Sequence, residues 1–72
     1  MKYYEVVGKD YNGDWVTIKS PLKSLKVALD IAKKQKNYYD VIDINLIIDD
    51  DLTETYDING KVRWDKWKQI RC

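Results

Sequence analysis

Two stretches of this chain carry the residue types that could do chemistry: "IIDDDLTE" (47–54) and "GKVRWDKWK" (60–68). The first places Asp49, Asp50 and Asp51 in a row, and carboxylate oxygens are the ligands that Ca²⁺ prefers. A calcium loop, however, staggers its ligands and needs a glycine for its sharp turn, and this stretch has neither. The pattern therefore favours a solvated turn between strands, with mimicry of a phosphate backbone as the alternative. We expect no metal site.

The composition offers few residues of the types that catalyse reactions. Histidine is absent, which removes the commonest general base and metal ligand. The single cysteine, Cys72, has no neighbouring histidine to lower its pKa, and it leaves no partner for an internal disulfide. Ser20 and Ser24 are better explained as helix caps, and the three glycines stand too far apart to cradle a phosphate. We expect a protein that is not an enzyme and that uses no cofactor.

The second stretch alternates cations with tryptophans, a pattern that can neutralise phosphates and stack on bases. A predicted helix further back in the chain adds a row of lysines. An exposed helix face is usually charged, so a solvated surface is the first interpretation, with nucleic acid or an acidic protein surface as alternatives. The candidate residues for contact with a partner or a nucleic acid are Lys23, Lys26, Lys33, Lys34, Lys36, Lys61, Arg63, Lys66, Lys68, Trp15 and Trp67.

Length and composition indicate one small folded domain spanning residues 1–72. The chain is 44% hydrophobic and 35% charged, with enough tyrosine, tryptophan, isoleucine and valine to supply a core. Its longest nearly apolar run, 41–48, is too short to span a bilayer, and the first residues lack the apolar stretch of a signal peptide. We therefore expect a cytoplasmic protein with no membrane partner.

The net charge of +1 conceals three blocks of opposite sign. Residues 1–36 carry a net charge of +4, residues 37–60 carry −7 without a single base, and residues 61–72 carry +4. Such blocks predict that charged surfaces of both signs will be displayed on one small molecule.

A repeated turn signature sets the strand register. "KDYNGDWV" (9–16) and "YDINGKVRW" (56–64) both contain D-x-N-G, which suits a type I turn closed by a glycine bulge and so a three-residue hairpin loop. A two-residue loop built on Asn-Gly is the alternative, but it would set apolar residues opposite lysines. The expected pairs are Gly8 with Val16, Val6 with Ile18 and Tyr4 with Ser20 in one hairpin, and Tyr56 with Val62, Glu54 with Trp64 and Thr55 with Arg63 in the other.

These registers turn even-numbered strand residues inward, including Trp64. Between the hairpins, Leu25, Ala28, Leu29 and Ala32 follow the spacing of an amphipathic helix. Pro21 suits its first turn, and Asn37 suits a left-handed residue at its end. The sequence predicts an α+β fold in the order β-β-α-β-β-β, with an antiparallel sheet of four to five strands and one helix packed on one face.

A single helix leaves the other face of the sheet uncovered. The odd-numbered residues predicted there mix large apolar groups, such as Trp15, with charged ones. We expect this face to be covered in one of three ways. The C-terminal tail could fold back, with Trp67 and Ile70 over Trp15; the alternatives are a second copy of the chain in a homodimer and a different protein.

The helix segment S-L-x-x-A-x-x-I-A-x-K (24–34) and the later G-K-x-R-W (60–64) resemble small phage-encoded anti-CRISPR proteins, the inhibitors of type I surveillance complexes. The resemblance covers residues 20–66. It also extends to short bacterial ββαββ domains, which imply no function. It implies a stoichiometric inhibitor that docks on the crRNA-guided complex, with lysines in the path of the target DNA. The matching positions are Lys33, Lys34, Lys36, Lys61 and Arg63, and the aspartates at 49–51 depart from the pattern.

The function predicted from the sequence is a non-catalytic binding module, an anti-defence inhibitor from a phage or mobile element. It is expected to occlude a host defence protein or nucleoprotein complex through its charged and aromatic surface, in the host cytosol if it is phage-encoded. A small protein that binds duplex DNA through the helix lysines and the basic C-terminal strand is one alternative. A homo-oligomeric regulatory component, such as a homodimer, is the other.

Overall fold

A computed structural model of the chain describes residues 1–66. Its elements are β1 (Lys2–Lys9), β2 (Trp15–Leu22), α1 (Leu25–Gln35), a 3-10 turn (Lys36–Tyr38), β3 (Val41–Ile48), β4 (Asp51–Tyr56) and β5 (Val62–Asp65). The strands form one open antiparallel sheet in the order β2-β1-β3-β4-β5. The predicted fold class and element order are confirmed. Because β3 pairs with β1, the connection through α1 crosses over β1 and lays the helix against one face of the sheet.

Both D-x-N-G loops have the predicted geometry. In the first, the Asp10 carbonyl accepts a hydrogen bond from the Gly13 amide at 3.0 Å, and Gly13 has a φ of 94°. The Asp10 carboxylate also accepts hydrogen bonds from the amides of Asn12 and Asp14, both at 2.9 Å. A carboxylate that bonds its own loop in this way fixes a type I turn, and the glycine supplies the positive φ of the bulge.

The second loop repeats each of these contacts. The Asp57 carbonyl accepts from the Gly60 amide at 3.0 Å, and its carboxylate accepts from the amides of Asn59 and Lys61 at 2.8 and 3.0 Å. Gly60 has a φ of 85°. The backbone hydrogen bonds to the carboxylate, that of Lys61 first, lower the pKa of Asp57.

The core lies between α1 and the helix-facing side of the sheet, as the even-numbered pattern predicts. Ala28 and Ala32 are fully buried on the helix, and Leu25 and Leu29 pack beside them. The small alanines let the helix approach the sheet closely. The buried core cluster consists of Val6, Leu22, Ala28, Ala32, Ile42, Ile44, Leu46 and Tyr56.

The helix begins as predicted but ends differently. Ser24 is the N-cap, and its hydroxyl accepts hydrogen bonds from the amides of Lys26 and Val27 at 3.1 and 3.5 Å. The prediction that Asn37 ends the helix in a left-handed conformation is wrong. Lys36 follows α1 with right-handed dihedral angles, and the chain tightens directly into the 3-10 turn.

The prediction that Pro21 opens the helix is also wrong. Pro21 lies in β2, and its peptide bond with Ser20 is cis. β2 is an edge strand, where the missing N–H of a proline costs no hydrogen bond within the sheet. Ser20 therefore belongs to a strand, and Ser24 alone caps the helix.

The predicted pairs hold beside the two loops and fail further away. Gly8 faces Val16, and Tyr56 faces Val62, as predicted. Val6 lies opposite Lys19 instead of Ile18, and Tyr4 lies opposite Leu22, because β2 gains one residue relative to β1 at each of two register shifts. Such β-bulges bend the strand, and the hydrogen-bonded pairing continues beyond each of them with a register shifted by one residue.

A further shift, in β5, moves Trp64 to the other side of the sheet. Trp64 lies opposite Thr55, and Glu54 lies opposite Asp65, because Arg63 is the extra residue of the strand. Directly opposed residues of an antiparallel pair point to the same face, so Trp64 shares the face of Thr55, away from α1. The prediction that Trp64 belongs to the core is therefore wrong.

Candidate binding surfaces

The sheet side opposite α1, called the open face below, carries a row of hydrogen-bonded polar side chains. The Asn45 amide nitrogen donates to a Glu5 carboxylate oxygen at 3.1 Å, and the Thr55 hydroxyl donates to the Asn45 amide oxygen at 2.8 Å. These residues face one another across β1, β3 and β4. The two bonds fix the orientation of the Asn45 amide, so the centre of the open face presents polar groups in a defined arrangement.

An ion pair lies beside this row. Arg63 Nη1 donates to Asp43 Oδ1 at 2.6 Å. The Asp43 side chain is only 13% exposed, whereas that of Arg63 is 50% exposed. Removing a carboxylate from water is costly unless it is paired, so Arg63 stabilises Asp43 in its position on the sheet.

Trp15 forms the wall of a pocket on the open face. The pocket has a volume of about 260 Å³ and is lined by Val7, Trp15, Asp43, Asn45 and Thr55. Trp15 remains 52% exposed although it is one of the largest side chains in the protein. A half-exposed tryptophan beside a pocket is a common anchor for a binding partner.

The predicted lysines of the helix side have a different environment. Lys26, Lys33 and Lys34 lie on the outer surface of α1, Lys23 precedes the helix, and Lys36 follows it. All five are exposed. Among residues 1–66, none of them forms an ion pair, and Asp30 is the one acidic residue within α1. This helix surface therefore carries an excess of positive charge.

The remaining predicted cations within residues 1–66 lie in β5 or directly beside it. Arg63 contacts Asp43 on the open face, and Lys66 pairs with Asp51 at 3.6 Å. Lys61 is exposed and follows the second D-x-N-G loop. Arg63 and Lys36 also line one pocket of about 450 Å³, so this cation of β5 lies close to the C-terminal end of α1. Trp67, Lys68 and Ile70, and with them the predicted folding back of the tail, lie outside the described residues.

The aspartate run forms a tight turn. Asp49 and Asp50 have φ angles of 51° and 68°, and their neighbours Ile48 and Asp51 pair directly. Two consecutive positive φ angles in a two-residue loop define a type I′ turn. The Met1 ammonium group donates to Asp49 at 2.6 Å, and this hydrogen bond lowers the pKa of the Asp49 carboxyl. Residues 1–66 hold no cluster of three or more potential metal ligands.

Sequence reasoning identified Trp15 but missed the polar row that positions its pocket. The period-two pattern of β3 contained a signal, since Asp43 and Asn45 interrupt an otherwise apolar strand at alternate positions. Glu5 and Thr55, the partners of Asn45, lie 40 and 10 residues from it in the chain, so no local motif joins them. Arg63, the partner of Asp43, lies 20 residues from it.

Comparisons with protein-family models, curated proteins and solved structures found no match to this chain. Within residues 1–66, the single α-helix has 11 residues, and no helix there combines the length and apolar character needed to cross a bilayer.

Proposed function

We propose that this protein is a non-catalytic binding protein that docks its open face on a partner protein and blocks the partner by occupying its surface. The observation that carries the proposal is the half-exposed Trp15 beside a pocket with an ordered polar floor. Exposed tryptophans and arginines dominate the binding energy of protein interfaces, and ordered polar groups reduce the entropic cost of docking.

The partner in this proposal is a host nucleoprotein complex, and the protein is an anti-defence inhibitor encoded by a phage or mobile element. The resemblance of 24–34 and 60–64 to type I anti-CRISPR inhibitors supports this choice of partner. A protein of 72 residues without catalytic chemistry would inhibit stoichiometrically, by covering a surface that the complex needs.

The test is a target-binding assay with purified type I crRNA-guided complexes. We expect the protein to abolish binding of labelled target DNA at about one equivalent, and the W15A variant to require a severalfold higher concentration. A helix variant, V27A, serves as the control, because Val27 is exposed on α1 away from the open face. Full target binding at a large excess of the protein, across the type I complexes tried, would refute the proposed partner.

A second candidate function is supported by the helix surface. Its five exposed lysines, which form no ion pair with any other residue of 1–66, could neutralise the phosphates of duplex DNA. Counterion release would make that binding strongly salt-dependent. Titration of a labelled duplex at two salt concentrations tests it. Tight binding with a steep salt slope, lost in a K26E/K33E/K34E variant, would support the nucleic-acid function, and no binding at low salt would exclude it.

A further inference from the structure

The pocket beside Trp15 has a distinctive chemical lining. Of the lining residues that lie within 1–66, Asp43 alone is charged. Asn45 and Thr55 contribute oxygens to its floor, while Val7 and Trp15 make its apolar part. Its volume of about 260 Å³ is below the range typical of drug-sized ligands, and it suits a single inserted side chain.

Asp43 is both partly buried and incompletely enclosed by its partner. Its contact with Arg63 is an end-on hydrogen bond that joins one nitrogen to one oxygen, Oδ1. A carboxylate has two oxygens and can accept several charge-assisted hydrogen bonds. Arg63 already balances the charge of Asp43, so the pocket offers a further donor the remaining acceptor capacity of a carboxylate that is only 13% exposed.

Trp15 supplies the complementary contact. The π face of a tryptophan attracts a guanidinium or ammonium group, and among the aromatic side chains it does so most strongly. Because Trp15 and Asp43 line the same pocket, a cation inserted there would meet the ring on one side and the carboxylate on another. A phosphate would instead face the Asp43 carboxylate. The lining residues within 1–66 include no cation to receive it, and the neighbouring Arg63 already bonds Asp43.

We infer that this pocket receives the arginine or lysine side chain of a protein partner. The inference rests on the proposed function for the source of that side chain, and it gives the partner a basic residue at the centre of the interface. Arginine fits best, because its planar group can stack on Trp15 and donate to Asp43 at the same time.

The experiment uses N-acetyl-arginine amide as the probe and N-acetyl-citrulline amide, its uncharged isostere, as the control ligand. Both are titrated into the ¹⁵N-labelled full chain and followed by NMR. We expect the arginine probe to shift the amide signals of Val7, Asn45 and Thr55 and the indole signal of Trp15, and citrulline to shift them far less.

Variants then test the two contacts separately. W15A should weaken binding of the probe by about two- to fivefold, the range for a cation–π contact at a partly exposed site. D43N should weaken it by about tenfold, as expected for loss of a charge-assisted hydrogen bond. V27A should leave binding unchanged. If D43N disturbs Arg63 and the fold around it, W15A still tests the inference, because its own spectrum shows whether the W15A protein is folded.

The outcomes separate this inference from the proposed function. The inference would be overturned if the citrulline control bound as well as the arginine probe, or if the probe shifted signals elsewhere on the molecule. It would also be overturned if a single-stranded oligonucleotide shifted the same signals. If W15A reduces inhibition of the target complex while the arginine probe does not bind, the inference fails and the proposed function stands. If the probe binds as expected and no complex is inhibited, the proposed partner fails and the cation pocket stands.

Discussion

At the level of single residues, Gly8 lies where the helix-facing side of the sheet has no room for a side chain. A Cβ atom on Gly8 would lie 2.8 Å from Cγ and Cδ1 of the Tyr39 ring and 2.9 Å from Cδ1 of Ile18. Carbon atoms do not approach this closely, and the ring atoms of Tyr39 lie near its backbone, where they cannot move freely. Gly8 is thus required because the Tyr39 ring packs across the strand.

We expect G8A to lower the free energy of unfolding by about 1–3 kcal/mol, the usual cost of overpacking. Urea denaturation of G8A, Y39A and the double variant measures it. Since Y39A removes the clashing ring, the double variant should lose little more stability than Y39A alone. Additive losses would show that the clash with Tyr39 is not the reason.

Asp57 gives a second prediction, because its loop bonds hold the pKa of its carboxyl below the ordinary 3.8. A carboxyl whose pKa is lower in the folded state contributes stability above the unfolded pKa, and loses it as the pH falls through the folded value. We expect the stability of the protein to fall as the pH drops below about 4, and D57A to show a weaker acid dependence.

Chemical denaturation between pH 2 and pH 7 measures this difference. D14A, which removes an exposed carboxylate of the first loop, is the control for loss of a negative charge. Parallel stability curves for the wild type and D57A would contradict the prediction.

Among the elements, α1 depends on a single N-terminal cap. No acidic residue lies in its first turn, so the Ser24 hydroxyl is the side-chain acceptor there. We expect S24A to cost about 1 kcal/mol of stability. S20A, an exposed serine of β2, should stay within about 0.5 kcal/mol of the wild type. Equal costs for the two would mean that Ser24 does not act as the cap.

The turn between β3 and β4 gives a ranking by backbone conformation. Asp50 has a φ of 68°, which glycine adopts freely, aspartate tolerates and alanine resists. We therefore expect the stability order D50G, then wild type, then D50A, with D50A about 1 kcal/mol below the wild type. Thermal denaturation of the three proteins checks the order. A D50A protein as stable as the wild type would contradict it.

The elements that could be predicted from the sequence are those with strong local signals. The D-x-N-G loops place an aspartate acceptor and a glycine at fixed spacing, and the helix stripe repeats every three to four residues. The register shifts in β2 and β5 have no such signal, because one extra residue in a strand leaves its composition unchanged. Extrapolation from a correct loop therefore failed within a few residues, and it placed Trp64 on the wrong face.

At the level of the whole molecule, the sheet separates two candidate surfaces of different chemistry. Trp15 and Asp43 lie on the open face, while Lys26, Lys33 and Lys34 lie on the outer side of α1. The sequence indicated Trp15 and the helix lysines as candidates, but not that the sheet lies between them. The separation follows from the strand order and from register shifts that depend on residues distant in the chain.

This separation predicts independent effects on binding. In the target-complex assay, W15A should raise the concentration needed for inhibition severalfold, and K26E/K33E/K34E should leave it unchanged. In the duplex titration, K26E/K33E/K34E should weaken binding of the DNA, and W15A should leave it unchanged. Loss of both activities in either variant, with an intact fold by circular dichroism, would show that the two sides form one functional surface.

The outer edge of β2 is poorly suited to forming amyloid-like fibres. Amyloid-like fibres extend when an identical strand adds to a flat, fully hydrogen-bonding border. Here the border is interrupted by Pro21, which lacks an N–H, bent at two points by inserted residues, and marked by the exposed cation of Lys19. The sheet can therefore remain open at β2 without this edge strand promoting the addition of strands from other copies of the protein.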